Sequence, residues 1–351
     1  MTDTGTEDDD WLFDSVTRYK HLHMYDLQYP VTALEWIDTN GFCVATRGMY
    51  KHEVTELSLP DKLCSAEDMA LSKNRDFQVL TGGFSSTEIR DIKHILGTRL
   101  ICTSAVNAEG QLVIWNLGSH DTDLIKVDRK LKNIKPRGSW SLIAVQNQDH
   151  VTFGSHGDNL CCTDIIAHSI VQGTSEFSNA GKITSIRKSD SHTVFCCLIN
   201  GKLLKWDRRE KLPVVLDTSS EQSSNWTLDL KGNDVVQLSC MGRVHFLDVR
   251  KPDQKISSSN IGLTSIDVEN LRICLKKEND HLMQYSVSGF DGNVYLYSKE
   301  SSSPIFVHEG HVRNCSDDPL VVKVVTHLSH PIEDVILSAA TDGSLHAWQN
   351  T

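Results

Sequence analysis

With 16 histidines, 10 cysteines and 46 carboxylates in 351 residues, the chain has ample material for metal binding or acid–base work. The spacing offers little of either. His21 and His23 are the closest histidine pair, and a two-residue spacing on a strand is only weakly ligand-like. The cysteines are scattered as single residues and two adjacent pairs, Cys161-Cys162 and Cys196-Cys197, with no CxxC. Neighbouring side chains of a strand point to opposite faces, so such a pair cannot aim both sulfurs at one metal. These residues are expected to be reduced core thiols of a cytosolic or nuclear protein. The chain has no Walker loop, no GxSxG elbow, no HExxH helix and no GxGxxG. No catalytic, cofactor-binding or metal-binding residue is therefore expected.

Composition narrows the classes further. With 39% apolar and 23% charged residues, the chain is an ordinary folded protein able to bury a core. Its net charge of −11 argues against direct nucleic-acid binding, which draws affinity from clustered Lys and Arg. The short basic run Arg208, Arg209 and Lys211 reads as a solvated turn. Residues 1–10 are acidic where a secretory signal needs a basic and then an apolar region, and they are expected to be disordered. No stretch approaches the roughly 20 apolar residues that span a bilayer, so no membrane partner is expected.

Repetition organises the rest. Short alternating runs follow Gly-containing turns at Gly110–Asn116, Gly157–Asp164, Gly201–Asp207, Gly242–Asp248, Gly292–Ser298 and Gly343–Gln349. Their closing positions lie 48, 43, 41, 50 and 51 residues apart, close to the period of a four-stranded propeller blade. Upstream, Val31–Trp36, Gly41–Thr46 and Glu53–Leu59 supply three strand-like runs of a degenerate first blade. The expected fold is an all-β, seven-bladed propeller over residues 21–351.

The chain stops two residues after Gln349, before the last blade has an outer strand. The run His23–Leu27 is β-prone and can supply it, so an amino-terminal strand is expected to close the ring. Residues 11–20 place Trp11, Leu12, Val16 and Tyr19 at helical spacing and predict a short docked helix. The stretches Pro60–Lys73, Gly118–Lys132, Thr218–Asn225 and His311–Pro319 read as rim loops.

Trp115-Asn116, Trp206-Asp207 and Leu247-Asp248 resemble worn WD dipeptides, and Gly310-His311 resembles the GH that opens a WD repeat. The chain thus resembles the WD-repeat β-propeller family. The resemblance implies a structural hydrogen-bonded network of His311, Ser338, Asp342 and Trp348, with Trp115, Trp206, Asp207 and Asp248 in the same role elsewhere. A buried indole needs a partner, and a buried His and Asp satisfy one another and the turn.

Further strings resemble one particular group of WD-repeat assembly factors: Asp9–Leu12, Met24–Leu27, Leu34–Asp38, Arg75–Phe77, Gly82–Ser85 and Ser288–Gly292. That resemblance implies a non-enzymatic scaffold in the cytoplasm, partly nuclear. There it would help the metallo-β-lactamase-fold subunits of the Integrator endonuclease module pair. It also implies links to spindle poles and microtubule-associated proteins. A second reading is a substrate receptor of a cullin-type ubiquitin ligase, because Trp206–Arg209 fits the WDxR pattern and Leu247–Arg250 its weaker form. For the protein interface, Trp11, Leu12, Phe13, Arg75, Phe77 and Phe84 are singled out: aromatic residues and Arg dominate interface energies, and these stand in strings the blade geometry does not require.

Overall fold

Runs rich in Val, Ile, Leu and Thr, cut by Gly and Asp turns, favour hairpins over helices. In a computed structural model the chain folds into seven four-stranded antiparallel sheets. The structure describes residues 15–64, 74–108, 110–118, 122–133, 135–178, 181–216, 225–265, 269–277, 283–313 and 322–351. The first strand, β1 (Tyr19–Asp26), belongs to the last sheet. Blade 1 is β2 (Val31–Trp36), β3 (Gly41–Thr46), β4 (His52–Ser58) and β5 (Gln78–Ser85). Blade 2 follows with β6 (Ile89–Ile95), β7 (Leu100–Ala105), β8 (Leu112–Asn116) and β9 (Lys126–Leu131).

The pattern continues without a break. Blade 3 holds β10 (Leu142–Val145), β11 (His150–Gly154), β12 (Cys161–Asp164) and β13 (Ser169–Gly173); blade 4 holds β14 (Ile183–Lys188), β15 (Thr193–Leu198), β16 (Leu203–Asp207) and β17 (Val214–Leu216). Blade 5 is β18 (Trp226–Lys231), β19 (Asp234–Ser239), β20 (Arg243–Asp248) and β21 (Lys251–Asn260). Blade 6 is β22 (Arg272–Lys277), β23 (Met283–Ser288), β24 (Val294–Ser298) and β25 (Phe306–His308), and blade 7 holds β26 (Val324–Ser329), β27 (Ile336–Ala340) and β28 (Ser344–Asn350). Every closing run read from the sequence is the third strand of its blade. The inner strands β2, β6, β10, β14, β18, β22 and β26 touch in a closed ring around a central channel.

The apolar core is divided among the seams. Leu34, Phe42 and Val44 of blade 1 pack with Leu337 and Leu345 of blade 7, and Val54 with Ile92, Ile101 and Trp115 of blade 2. Later seams repeat this, with Cys102 against Phe153 and Cys162 against Trp206. The eight cysteines whose side chains are described are all buried free thiols. Burial pushes the Cys197 and Cys274 thiols up to about 12.

Closure follows the expected route. β1 runs antiparallel to β28, from Tyr19 opposite Asn350 to Asp26 opposite Ser344. Arg18 donates to the Val307 carbonyl at 2.6 Å, and the Leu27 amide donates to the Gly343 carbonyl at 3.0 Å. Gly343 has φ +94°, and a Cβ there would lie 2.9 Å from the Tyr29 carbonyl, so the linker from β1 to β2 requires glycine at this turn.

Besides two short helices, Asp61–Cys64 and Gly310–Arg313, that fall in or overlap stretches read as loops, two further places differ from the sequence reading. Residues 15–18 are helical and Tyr19 already begins β1, so the docked helix ends before residue 20; its residues 11–14 and the acidic residues 1–10 lie outside the described ones. The outer strand β9 falls inside Gly118–Lys132, read as a loop. Its Lys126–Lys130 side chains are mostly solvent-facing, so the apolar alternation that reveals a half-buried strand is missing.

Candidate functional site

A buried polar cluster lies at the seam where the ring closes. Trp348 is fully buried on β28, and its Nε1 donates to Ser338 Oγ on β27 at 3.3 Å. Ser338 Oγ lies 2.9 Å from His311 Nε2, and His311 Nδ1 lies 2.6 Å from Ser344 Oγ. Ser344 Oγ donates to Asp342 Oδ1 at 2.6 Å. An indole can only donate and a carboxylate can only accept, so the protons point one way, from Trp348 through Ser338, His311 and Ser344 to Asp342. The four residues expected to form this network are brought together. Ser344 links His311 to Asp342, a member the sequence reading missed; its placement two residues after Asp342 in a tight turn was the available signal.

Two more histidines join from neighbouring strands. Tyr19 Oη lies 2.8 Å from His308 Nδ1, and His308 Nε2 lies 3.0 Å from His346 Nδ1. The His346 ring stacks on His311 with centroids 4.0 Å apart. Ligand nitrogens of His308, His311 and His346 fall within 4.8 Å of one another, the spacing a metal would need. Both nitrogens of His308 and of His311 are already hydrogen-bonded, so coordination would strip Tyr19, Ser338 or Ser344 of partners. The arrangement therefore works chemically as a buried hydrogen-bond lock. Burial holds all three imidazoles well below their ordinary pKa, hence neutral, and it raises the Tyr19 phenol to about 12, hence a donor.

The other blades use simpler versions. Trp115 Nε1 donates to Thr103 Oγ1 at 2.7 Å, and Trp206 Nε1 to the Glu210 carbonyl at 3.2 Å. Arg209 Nε donates to Asp207 at 2.9 Å and Arg250 Nε to Asp248 at 2.9 Å. These bonds hold both carboxylates down to about 2. The two arginines of the WDxR pattern are thus engaged by carboxylates two residues earlier in their own turns.

The channel wall is stitched across blades by charge. Lys93 of blade 2 pairs with Glu35 of blade 1 at 2.6 Å, and Arg187 of blade 4 with Asp229 of blade 5 at 2.7 Å. The second oxygen of Asp229 accepts the Leu275 amide of blade 6 at 2.8 Å, and Asp91 accepts the Ile143 amide of blade 3 likewise.

This architecture can be set beside known proteins. No protein-family model matches the chain. It is 32% identical to the Integrator complex assembly factor WDR73 of Danio rerio, over 378 aligned positions covering 99% of this chain and 98% of that protein. The chain belongs to the WDR73 family. The WDR73 proteins of Homo sapiens and Mus musculus are 30% and 29% identical, each match covering 97% of both chains.

The strings through which the sequence resembles the WDR73 family have diverse places in the fold. Trp11, Leu12 and Phe13 lie outside the described residues. Arg75 is exposed. Phe77 is buried at 7% exposure, its ring 6.0 Å from Phe42 and 5.7 Å from Tyr25. Phe84, on the outer strand β5, is 59% exposed beneath the Lys51 ammonium at 5.4 Å. Of the three described residues singled out for an interface, Phe77 packs the seam between blades 1 and 7, while Arg75 and Phe84 face solvent. No helix among the described residues is long and apolar enough to cross a membrane.

Proposed function

We propose that this protein is a non-enzymatic scaffold that assists assembly of the Integrator complex, holding the metallo-β-lactamase-fold subunits of its endonuclease module in the cytoplasm before nuclear import. The observation that carries this reading is the match to a protein named Integrator complex assembly factor, running through 99% of this chain. A rigid ring with seven sets of rim loops supports it physically, because binding residues concentrate on loops held by a fixed scaffold. The buried histidine cluster around His311 is taken up by hydrogen bonds that hold the seam. That also fits a binding protein better than an enzyme. The reading as a ubiquitin-ligase substrate receptor rests on Arg209 and Arg250, whose guanidiniums are occupied by Asp207 and Asp248.

Affinity purification with mass spectrometry, run separately on cytoplasmic and nuclear fractions, tests the proposal. Integrator endonuclease subunits enriched in the cytoplasmic fraction support it. Recovery of cullin adaptors or spindle-pole proteins in their place sinks it in favour of one of those readings.

A further inference from the structure

One end of the central channel opens into a cavity of about 450 Å³, within the range of roughly 300–1,000 Å³ typical of ligand sites. Six Asp, Glu, Lys or Arg side chains line it: Glu35, Lys93, Arg187, Lys188, Asp229 and Lys231. Four are cations and two are anions. Lys93 is matched by Glu35 at 2.6 Å with Asp91 behind it at 3.8 Å, and Arg187 by Asp229. That leaves Lys188, exposed at the end of β14, and Lys231, half-buried at the end of β18, on adjacent blades. Neither makes an ion pair with any described residue. In a chain of net charge −11, these two unpaired lysines leave the surplus at the mouth of the channel small but positive. The wall between the charges is largely apolar, and across the mouth Leu96 of blade 2 is 47% exposed.

We propose that this channel mouth binds an acidic peptide segment of a partner protein, with carboxylates on Lys188 and Lys231 and an apolar side chain against the Leu96 wall. Surplus positive charge in a concave, low-dielectric setting focuses the field and attracts such a segment. Glu35 and Asp229 remain in the wall, which disfavours a compact polyanion and favours carboxylates spaced along an extended chain. The exposed arginines of the WDxR pattern, by contrast, each already pair with their own aspartate. The site is defined by charge and shape, so it stands whether or not the Integrator reading holds.

The test uses full-length protein and fluorescence anisotropy of a fluorescein-labelled nonapeptide alternating Glu and Asp around a central Leu. Binding should saturate and weaken as salt is raised. Lys188→Glu with Lys231→Glu should weaken it about tenfold or more, as expected when two attractive pairs become repulsive. Lys126→Glu with Lys130→Glu imposes the same change of charge on the outer strand β9 and should leave affinity within about twofold. Both double variants alter solvent-facing or half-buried strand residues, so thermal melting verifies that each folds. Equal losses in the two, an absence of saturation, or complete displacement of the peptide by inorganic phosphate at comparable concentration would each overturn the proposal.

Discussion

The phenol of Tyr19 stands 2.8 Å from Nδ1 of His308 although 289 residues separate them in the chain. This contact, with the pairing of β1 on β28, joins the amino-terminal strand to both blade 6 and blade 7. Tyr19→Phe removes only the hydroxyl and leaves a buried ring nitrogen without its donor, which should cost about 1–3 kcal/mol. Tyr19→Ala also empties a packed site and should cost about 3–5 kcal/mol. Deleting residues 1–28 removes β1 and bares the edge of β28, so the truncated protein should aggregate or melt far lower. Chemical denaturation of the three proteins checks the order; a truncation that melts like the full chain would show that β1 does not close the ring.

Trp206 and Trp348 are both fully buried, each bonded through its indole N–H. Replacing either by Ala should lower stability by about 3–5 kcal/mol. Trp348→Phe keeps most of the apolar volume but deprives Ser338 of a donor, so a smaller loss is expected, about 1–2 kcal/mol. Urea midpoints at constant m-value read these differences.

Acid should destabilise the protein well above the range in which carboxylates titrate. Burial holds His245 and His327 down to about 4, and His308, His311 and His346 well below 6.5. An unfolded chain binds these protons near 6.5 while the folded one does not, so stability is full above that pH. It falls as pH drops from 6.5 toward 4, by up to about 1.4 kcal/mol per unit for each group. His245 rests on Trp226 with ring centroids 4.7 Å apart, and its Nδ1 has no hydrogen-bond partner. His245→Phe should therefore cost little at pH 7.5 and make the decline to pH 5 shallower. Thermal melts of both proteins across that range decide it, and parallel slopes would count against the assignment.

Asp229 ties three blades, through Arg187 of blade 4, its own strand in blade 5 and the Leu275 amide of blade 6. Asp229→Ala leaves a largely buried guanidinium and a backbone N–H unmatched. It should cost about 3 kcal/mol, at the low end for a broken buried pair because Arg187 keeps some solvent contact. Lys231→Ala, in the same strand, should change stability by less than about 0.5 kcal/mol. Comparing their denaturation midpoints separates a structural wall from a cation left available.

The residues singled out for an interface should divide by burial. Phe77→Ala should destabilise the seam by about 3–5 kcal/mol. Arg75→Glu and Phe84→Ala should leave the melting curve unchanged, and if they contribute to partner capture they should weaken it without unfolding. Pull-down of Integrator endonuclease subunits from cytoplasmic extract, with melting curves alongside, checks both halves; capture that survives both exposed substitutions moves the interface to another rim.

What was legible in the sequence was what local periodicity encodes. The third strands of blades 2 to 7 announce themselves because they are mostly buried, largely apolar and follow a turn glycine, so Gly201–Asp207 or Gly343–Gln349 can be recognised without any partner in view; β4 of blade 1 lacks that signature. The strand character of β1 was equally legible, from a spare β-prone run near residue 23 ahead of the first blade, and its pairing with β28 was seen in the fold. The outer strand β9 was not, since its exposed Lys and Asp residues carry no apolar alternation. Tertiary structure alone decided that Phe77 fills a seam while Phe84, seven residues on, faces solvent, because that depends on Phe42 and Tyr25 arriving from other strands. It alone placed Ser344 between His311 and Asp342 and drew His308 and His346 to Tyr19. It also set Lys188 and Lys231, the last residues of the inner strands of consecutive blades and one repeat apart in the chain, at one mouth of the channel: periodicity relates their positions, but the balance of charge around them is a property of the assembled ring.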